Sequence, residues 1–238
     1  HASLPLCIKK MKELGLFKRL STAQRVFCHH CLLSNPRRQP MPKVENRQPY
    51  RLFEKFYCDV SGPHTPAVQT GAQYALTFIE RASGLALTYF AKSTAEVATH
   101  TGQFLKDIAP FMKAAGVKDV NMALSHAIVA SDNASYFVGR NSGFRKELAK
   151  HGITQVSGTP YTPQHQARVE RHQQTISRRA AALRKAAGLD SRYWEASWRY
   201  ANRVYNLVDN GNTVHNKSPM YVATGNAHPE QLLELKAF

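Results

Sequence analysis

The sequence predicts an α/β fold, a mixed five-stranded sheet flanked by helices and preceded by a small helical module, and three observations lead there. From about residue 51, three β-like runs follow one another with turn signals between them, the pattern of an antiparallel meander. Two further short apolar runs then alternate with helical patterns, as expected for strands added to the same sheet through helical connections. Finally the period changes, and two long helical segments close the chain.

Residues 1–40 read as a unit of their own, with Leu6, Ile8, Met11, Leu14 and Leu16 in a helical pattern that ends near Gly15 and a close on Cys28-His29-His30-Cys31. The run Asn35-Pro36-Arg37-Arg38-Gln39-Pro40-Met41-Pro42 cannot support a helix or a central strand, and it leads into a basic linker over residues 41–50. The core is expected over residues 51–210, with strands at Leu52–Val60, Gln73–Arg81 and Leu85–Ala91 separated by Gly-Pro and Ser-Gly turns. Ser93-Thr94-Ala95-Glu96 has the form of a capping box that opens a helix toward Gly116, with Pro110 as its break or kink. A short buried strand at Ala127–Ser131, a helix from Gly143 to Lys150 that stops at Gly152, and a strand at Ile153–Ser157 follow.

Thr162-Pro163 supplies an N-cap and a proline at the first helical position, so a long helix is expected from there to Gly188. Asp190 caps the last long helix, which carries Trp194, Trp198, Tyr200 and Tyr205 and fades at Asn210-Gly211. The helical spacing of these aromatics favours burial over base stacking. Residues 211–238 form a C-terminal extension, and no internal repeat or low-complexity segment appears.

Composition narrows the partner. The 32 Lys and Arg against 16 Asp and Glu give a net charge of +16 and a pI near 9.9. Such an excess attracts polyanions with salt-dependent affinity, where it does not serve solubility alone. With 43% apolar residues the chain is not a disordered tail. No apolar run approaches the roughly 18 residues a membrane span needs, and the first residues do not read as a signal peptide, so a soluble intracellular protein is expected. Of four cysteines, Cys28 and Cys31 form a C-x-x-C pair while Cys7 and Cys58 lie among apolar residues, which fits a reducing compartment better than two disulfides.

Three acidic residues stand out against this basic background. Asp59 and Asp132 end apolar runs, and Glu170 sits inside a strongly basic helix. On the element order above, Asp59 falls on the first strand, Asp132 just after the fourth, and Glu170 on the helix after the fifth. That order is the layout of a ribonuclease-H-like core. Carboxylates at such positions look like ligands for a divalent cation, which is the chemistry of phosphodiester transfer.

Several segments together resemble the integrase of copia-type LTR retrotransposons, within the retroviral integrase and transposase superfamily. Asp59-Val60-Ser61-Gly62-Pro63 resembles the first-aspartate motif, Tyr74-Ala75-Leu76-Thr77-Phe78-Ile79 the second strand, and Ser131-Asp132-Asn133 the second-aspartate motif. Thr159-Pro160-Tyr161-Thr162-Pro163-Gln164 leads to Glu170-Arg171 as in the family. Ala187-Gly188-Leu189, Tyr193-Trp194 and Ser218-Pro219-Met220-Tyr221 resemble later segments, so the likeness covers nearly the whole chain.

The resemblance implies catalytic residues Asp59, Asp132 and Glu170 holding two Mg²⁺ or Mn²⁺ ions, with Asp59 bridging both, Asp132 on one and Glu170 on the other. It implies 3′-end processing and strand transfer of retroelement DNA into target DNA, a homo-oligomer, and a nuclear location with a cytoplasmic virus-like-particle stage. It also implies an N-terminal zinc site of His, His, Cys, Cys, in which His1 matches the second histidine. His1, Cys28 and Cys31 would then be three of four Zn²⁺ ligands, the first histidine lying upstream of residue 1. His29 or His30 is an alternative fourth ligand, and a small helical cap with incidental cysteines is the alternative to any zinc site.

The helix carrying Glu170 also presents Arg168, Arg171, His172, Arg178, Arg179, Arg184 and Lys185. Helical spacing puts Gln164, Arg168, Arg171 and Arg178 on one face, a DNA-binding candidate, against which stands a simple solvated stripe with Arg184 and Lys185 its most solvent-exposed members. His64, His100 and His126 carry no ligand spacing.

Departures from the family pattern lie beside the acidic residues. Asn133-Ala134-Ser135-Tyr136-Phe137 replaces the usual glycine and Glu-Phe, Gln164-His165-Gln166-Ala167 replaces the usual Gln-Asn-Gly, and the 37 residues between Asp132 and Glu170 slightly exceed the usual spacing. These keep two alternatives open: a domesticated or inactive descendant that only binds DNA, and a ribonuclease-H-like nuclease without joining activity.

Overall fold

The computed structural model describes residues 51–157, 167–209 and 216–226. The expected N-terminal module and linker, with His1, Cys28 and Cys31, and also Gln164, lie outside the described residues.

Strands β1 (Lys55–Ser61), β2 (Tyr74–Glu80) and β3 (Ala86–Ala91) form the antiparallel meander. Then come α1 (Val97–Ala114), α2 (Val120–Ser125), β4 (Ile128–Ser131), α3 (Ser135–Val138), α4 (Gly143–Lys150), β5 (Thr154–Ser157), α5 (Ala167–Ala186), α6 (Trp194–Leu207) and α7 (Pro219–Thr224). The sheet order is β3-β2-β1-β4-β5, with β4 parallel to β1 and β5 parallel to β4. This is the predicted mixed five-stranded sheet flanked by helices.

Strand alternation divides the side chains between two faces. Phe56, Cys58, Leu76 and Phe78 point into a cluster with Phe104, Ile108, Met112, Phe144 and Leu148 of α1 and α4. Phe78 stacks on Phe104 with centroids 4.0 Å apart and planes 5° from parallel, and Phe56 meets the same ring edge-on at 5.3 Å. On the other face, Tyr57, Ile79, Ala86 and Ala130 pack on Val169 of α5, and Ala75 and Phe90 join Ile176, Ala180, Trp194, Trp198 and Ala201. Trp194 and Trp198 are buried, as their spacing predicted.

Helix α6 also covers the edge strand. Ala86 donates its N–H to Asn206 Oδ1 at 3.0 Å, and its carbonyl accepts from Asn202 Nδ2 at 2.9 Å and Asn206 Nδ2 at 2.7 Å. Two side-chain amides thus occupy backbone groups that an edge strand otherwise offers to a foreign strand.

Three local expectations change. Ser93 makes no side-chain cap; a 3₁₀ turn at Thr94–Glu96 precedes α1, and Glu96 instead accepts from the Lys92 N–H at 3.4 Å. Helix α1 continues through Pro110, which is exposed, so the carbonyl it leaves without a helical partner lies on the solvent side. Helices α2, α3 and α7 were not anticipated, being four to six residues long. Among the described residues no helix is long and apolar enough to cross a membrane.

Candidate active site

Parallel pairing of β1 and β4 aligns Tyr57 with Ala130, so the residues two further on, Asp59 and Asp132, emerge at the same end of adjacent strands. Both are half-buried. Each has one carboxylate oxygen held by local backbone: the Val60 N–H donates to Asp59 Oδ1 at 2.8 Å, and the Ala134 N–H donates to Asp132 Oδ1 at 3.0 Å. Glu170 stands in the first turn of α5 and is exposed. Its neighbour Val169 is fully buried against Tyr57, Ile79 and Ala130, which ties that turn to the middle of the sheet.

Electrostatics link the three. Burial raises the Asp59 carboxyl from its ordinary 3.8 to about 7; the Val60 N–H opposes the shift, and the charges of Asp132 and Glu170 add to it. The same charges reach the neighbours. The Tyr136 hydroxyl is pushed up to about 12 by burial first, then by Asp132 and Asp59, and burial with Asp59 and Asp132 raises the Cys58 thiol. Among the described residues, no three His, Cys, Asp or Glu side chains gather closely enough to enclose a metal ion. The arrangement is therefore open: two aspartates at the strand ends, with Glu170 on the rim. Its donors are hard oxygens, and no positive charge among the described residues offsets the raised Asp59 carboxyl, which is the chemistry that Mg²⁺ or Mn²⁺ suits.

The altered loop after Asp132 carries no backbone penalty. Ala134 adopts φ −60° and ψ 144°, an extended conformation open to any residue, so a glycine is not required there. Phe137 anchors the loop, fully buried and edge-on to Phe144 at 4.7 Å.

On α5, Arg171 and Arg178 are exposed on the side of the helix away from Val169 and Ile176, and Arg168 is half-buried at the margin of that face, near His172 and Tyr205. Two basic residues depart from expectation. His172 is buried rather than presented: it lies 3.0 Å through Nε2 from Asn202 Oδ1, packs edge-on to Tyr205 at 4.4 Å, and is held down to about 3, mainly by burial. Arg184, expected in solvent, is half-buried and donates through Nη1 to Ser197 Oγ at 3.0 Å. Lys185 is exposed. The pair Ser61 and His64, 3.0 Å apart, went unnoticed because nothing periodic marks it.

No protein-family model matches the sequence. It is 25% identical over 167 residues, 70% of this chain, to the retrovirus-related Pol polyprotein from transposon TNT 1-94 of Nicotiana tabacum. It is 27% identical over 155 residues, 63% of this chain, to the Pro-Pol polyprotein of simian foamy virus type 3 (strain LK3). In three dimensions, a chain in the cryo-EM structure of the simian T-cell lymphotropic virus intasome in complex with PP2A regulatory subunit B56 gamma aligns with a TM-score of 0.55 at 17% identity, over 92% of this chain and 74% of that one. In sequence the chain is similar to these Pol polyproteins, and in fold to that intasome chain. The chain spans only 12% of the length of each Pol relative. Its sheet, with both aspartates at one end and the basic helix α5 alongside, shares its fold with that intasome chain.

Proposed function

We propose that this chain carries the catalytic core of an integrase that processes the 3′ ends of retroelement DNA and joins them to target DNA. The observation that carries the reading is the emergence of Asp59 and Asp132 at the same end of the parallel strands β1 and β4, with the charges of Asp132 and Glu170 both felt at Asp59. Asp59, Asp132 and Glu170 would hold Mg²⁺ or Mn²⁺, which supplies charge compensation for the phosphodiester and for the attacking and leaving oxygens of an in-line displacement. The parallel strand ends fix the two aspartates against one another. Helix α5 sets Glu170 opposite them, and exposed Arg171 and Arg178 hold the phosphates of a strand lying along that helix.

Two displacements balance at this site. Water breaks one P–O bond near the element end and frees a 3′ hydroxyl. That hydroxyl then forms a new P–O bond with a target phosphate, whose former 3′ oxygen leaves as the hydroxyl. No protein nucleophile is consumed in either. A Zn²⁺ module built on His1, Cys28 and Cys31, assembly of several copies on DNA, and passage from a cytoplasmic particle to the nucleus belong to the same reading.

The test is joining of duplex carrying the element's terminal sequence to plasmid, using the full chain and Mg²⁺ or Mn²⁺. Joined product is expected from the wild type and none from Asp132→Asn; product that survives Asp132→Asn sinks the mechanism. A second reading, a DNA-binding descendant without catalysis, is favoured by one observation: the three carboxylates do not close into a ligand cluster among the described residues. It predicts salt-sensitive binding with neither nicked nor joined product. Nicked product alone would mark a nuclease.

A further inference from the structure

Ser61 lies two residues after Asp59 on β1, so strand alternation sends both side chains to the α5 side of the sheet, with Cα atoms about 6.6 Å apart. Its hydroxyl is held. Ser61 Oγ lies 3.0 Å from His64 Nε2, and both residues remain half-exposed. The return of the chain from Ser61 to His64 depends on Gly62, whose φ is +134° and where a Cβ would stand 2.5 Å from the Gln73 carbonyl oxygen. His64 then donates its N–H to that same carbonyl at 2.7 Å.

The imidazole is fixed from the opposite side as well. It packs against Trp194 at 4.4 Å and Trp198 at 5.9 Å, and Trp194 is itself fastened by its indole N–H to the Thr65 carbonyl at 2.7 Å. An imidazole that donates Nε2–H to Ser61 Oγ satisfies one acceptor site of the hydroxyl and leaves its proton to be given elsewhere. The Cα atoms of Ser61 and Asp59 stand one strand repeat apart on the same face, so a nucleic-acid strand that brings a phosphate to Asp59 can bring a neighbouring one to Ser61. Nothing in the metal chemistry of the carboxylates uses the Ser61 hydroxyl proton.

We propose that Ser61, oriented by His64, donates a hydrogen bond to the phosphate adjacent to the one that Asp59 and Asp132 address. Ser61 is the contacting residue and His64 the positioning residue. The inference rests on the phosphodiester reading of the site, and the chemical class it recognises is a non-bridging phosphate oxygen of a DNA strand.

The experiment reads binding rather than turnover, so that it stands apart from catalysis. The full chain is titrated, in Mg²⁺, against fluorescein-labelled element-end duplex already trimmed to the processed end and closed with a dideoxynucleotide, so that neither displacement can occur. Each of the three phosphates nearest that end is replaced in turn by a neutral methylphosphonate. For the wild type, one replacement is expected to weaken binding about tenfold. Ser61→Ala should bind natural DNA about tenfold more weakly and be indifferent to that replacement. Ser61→Thr should restore both the affinity and the sensitivity. His64→Phe, which keeps a ring against Trp194, should match Ser61→Ala. Melting temperatures confirm that each variant is folded.

Equal affinity of Ser61→Ala and wild type for natural DNA overturns the inference. So does unchanged sensitivity of Ser61→Ala to every replacement, or weakened Mn²⁺ binding in calorimetry, which would place Ser61 among the cation ligands. Failure of the catalytic reading shows separately, as absence of joined product from the wild type.

Discussion

The two faces of the sheet are built on different principles. Under α1 and α4 the contacts are aromatic and aliphatic, with Phe56, Phe78, Phe104, Phe137 and Phe144 all essentially free of solvent. Under α5 and α6 the same sheet meets, beside its apolar contacts, buried polar groups: His172 on Asn202, and Asn202 and Asn206 on Ala86. Apolar packing is nondirectional and supplies cohesion. Buried hydrogen bonds are directional and costly to misplace, so they fix where α5 lies on the strands. That matters because α5 carries Glu170. One face makes the sheet stable; the other aims the helix that completes the acidic site.

The contrast can be broken at four places. Phe104→Ala removes the ring on which both Phe78 and Phe56 rest and should cost about 3–5 kcal/mol in urea unfolding. A loss below 1 kcal/mol would deny that face its role. On the polar face, acid should do comparable damage through His172. Its folded-state value of about 3 lies below the unfolded 6.5, so the unfolded chain binds the proton first. Stability is therefore full above about pH 6.5 and is lost as the pH falls toward 3, on the order of 5 kcal/mol. His172→Phe should flatten that slope, and an unchanged slope would contradict the assignment.

Asp59 has the opposite sign. Its folded value of about 7 lies above the unfolded value, so the folded state binds the proton more tightly, and stability falls as pH rises from about 4 to 7. Asp59→Asn should gain roughly 4 kcal/mol at pH 8 without added divalent cation and nothing at pH 4. Saturating Mg²⁺ should recover that gain in the wild type alone. The smallest effect belongs to Asn206→Leu, which leaves the Ala86 N–H without its acceptor and should cost about 1–2 kcal/mol. Aggregation through the uncovered edge strand would accompany it.

Much of the fold was legible because the rules involved are local. β-like runs bounded by Gly-Pro and Ser-Gly turn signals marked β1, β2 and β3, and Asp190 was recognisable as a cap, its carboxylate accepting from the Arg192 N–H at 2.8 Å. Helices α2, α3 and α7 escaped because four to six residues carry no readable period. Burial of His172 and Arg184 also escaped: a basic residue on a basic helix looks solvated until the partner that accepts its proton is known, and Asn202 and Ser197 lie on another helix. Positions of Asp59 and Asp132 followed from strand order, whereas the distance of Glu170 from them depends on tertiary packing that no spacing encodes. The Ser93 cap failed for a related reason: the three residues Thr94–Glu96 wind into a 3₁₀ turn before α1 begins, which displaces Glu96 from the reach its spacing implied.

The most direct test of the acidic site is a crystal of the chain soaked in Mn²⁺, read by anomalous scattering. The account predicts a peak between Asp59 and Asp132 with carboxylate oxygens about 2.0–2.2 Å away, Glu170 turned inward, and no peak in Asp132→Asn. Manganese bound elsewhere, or none at a concentration that supports joining, would contradict it.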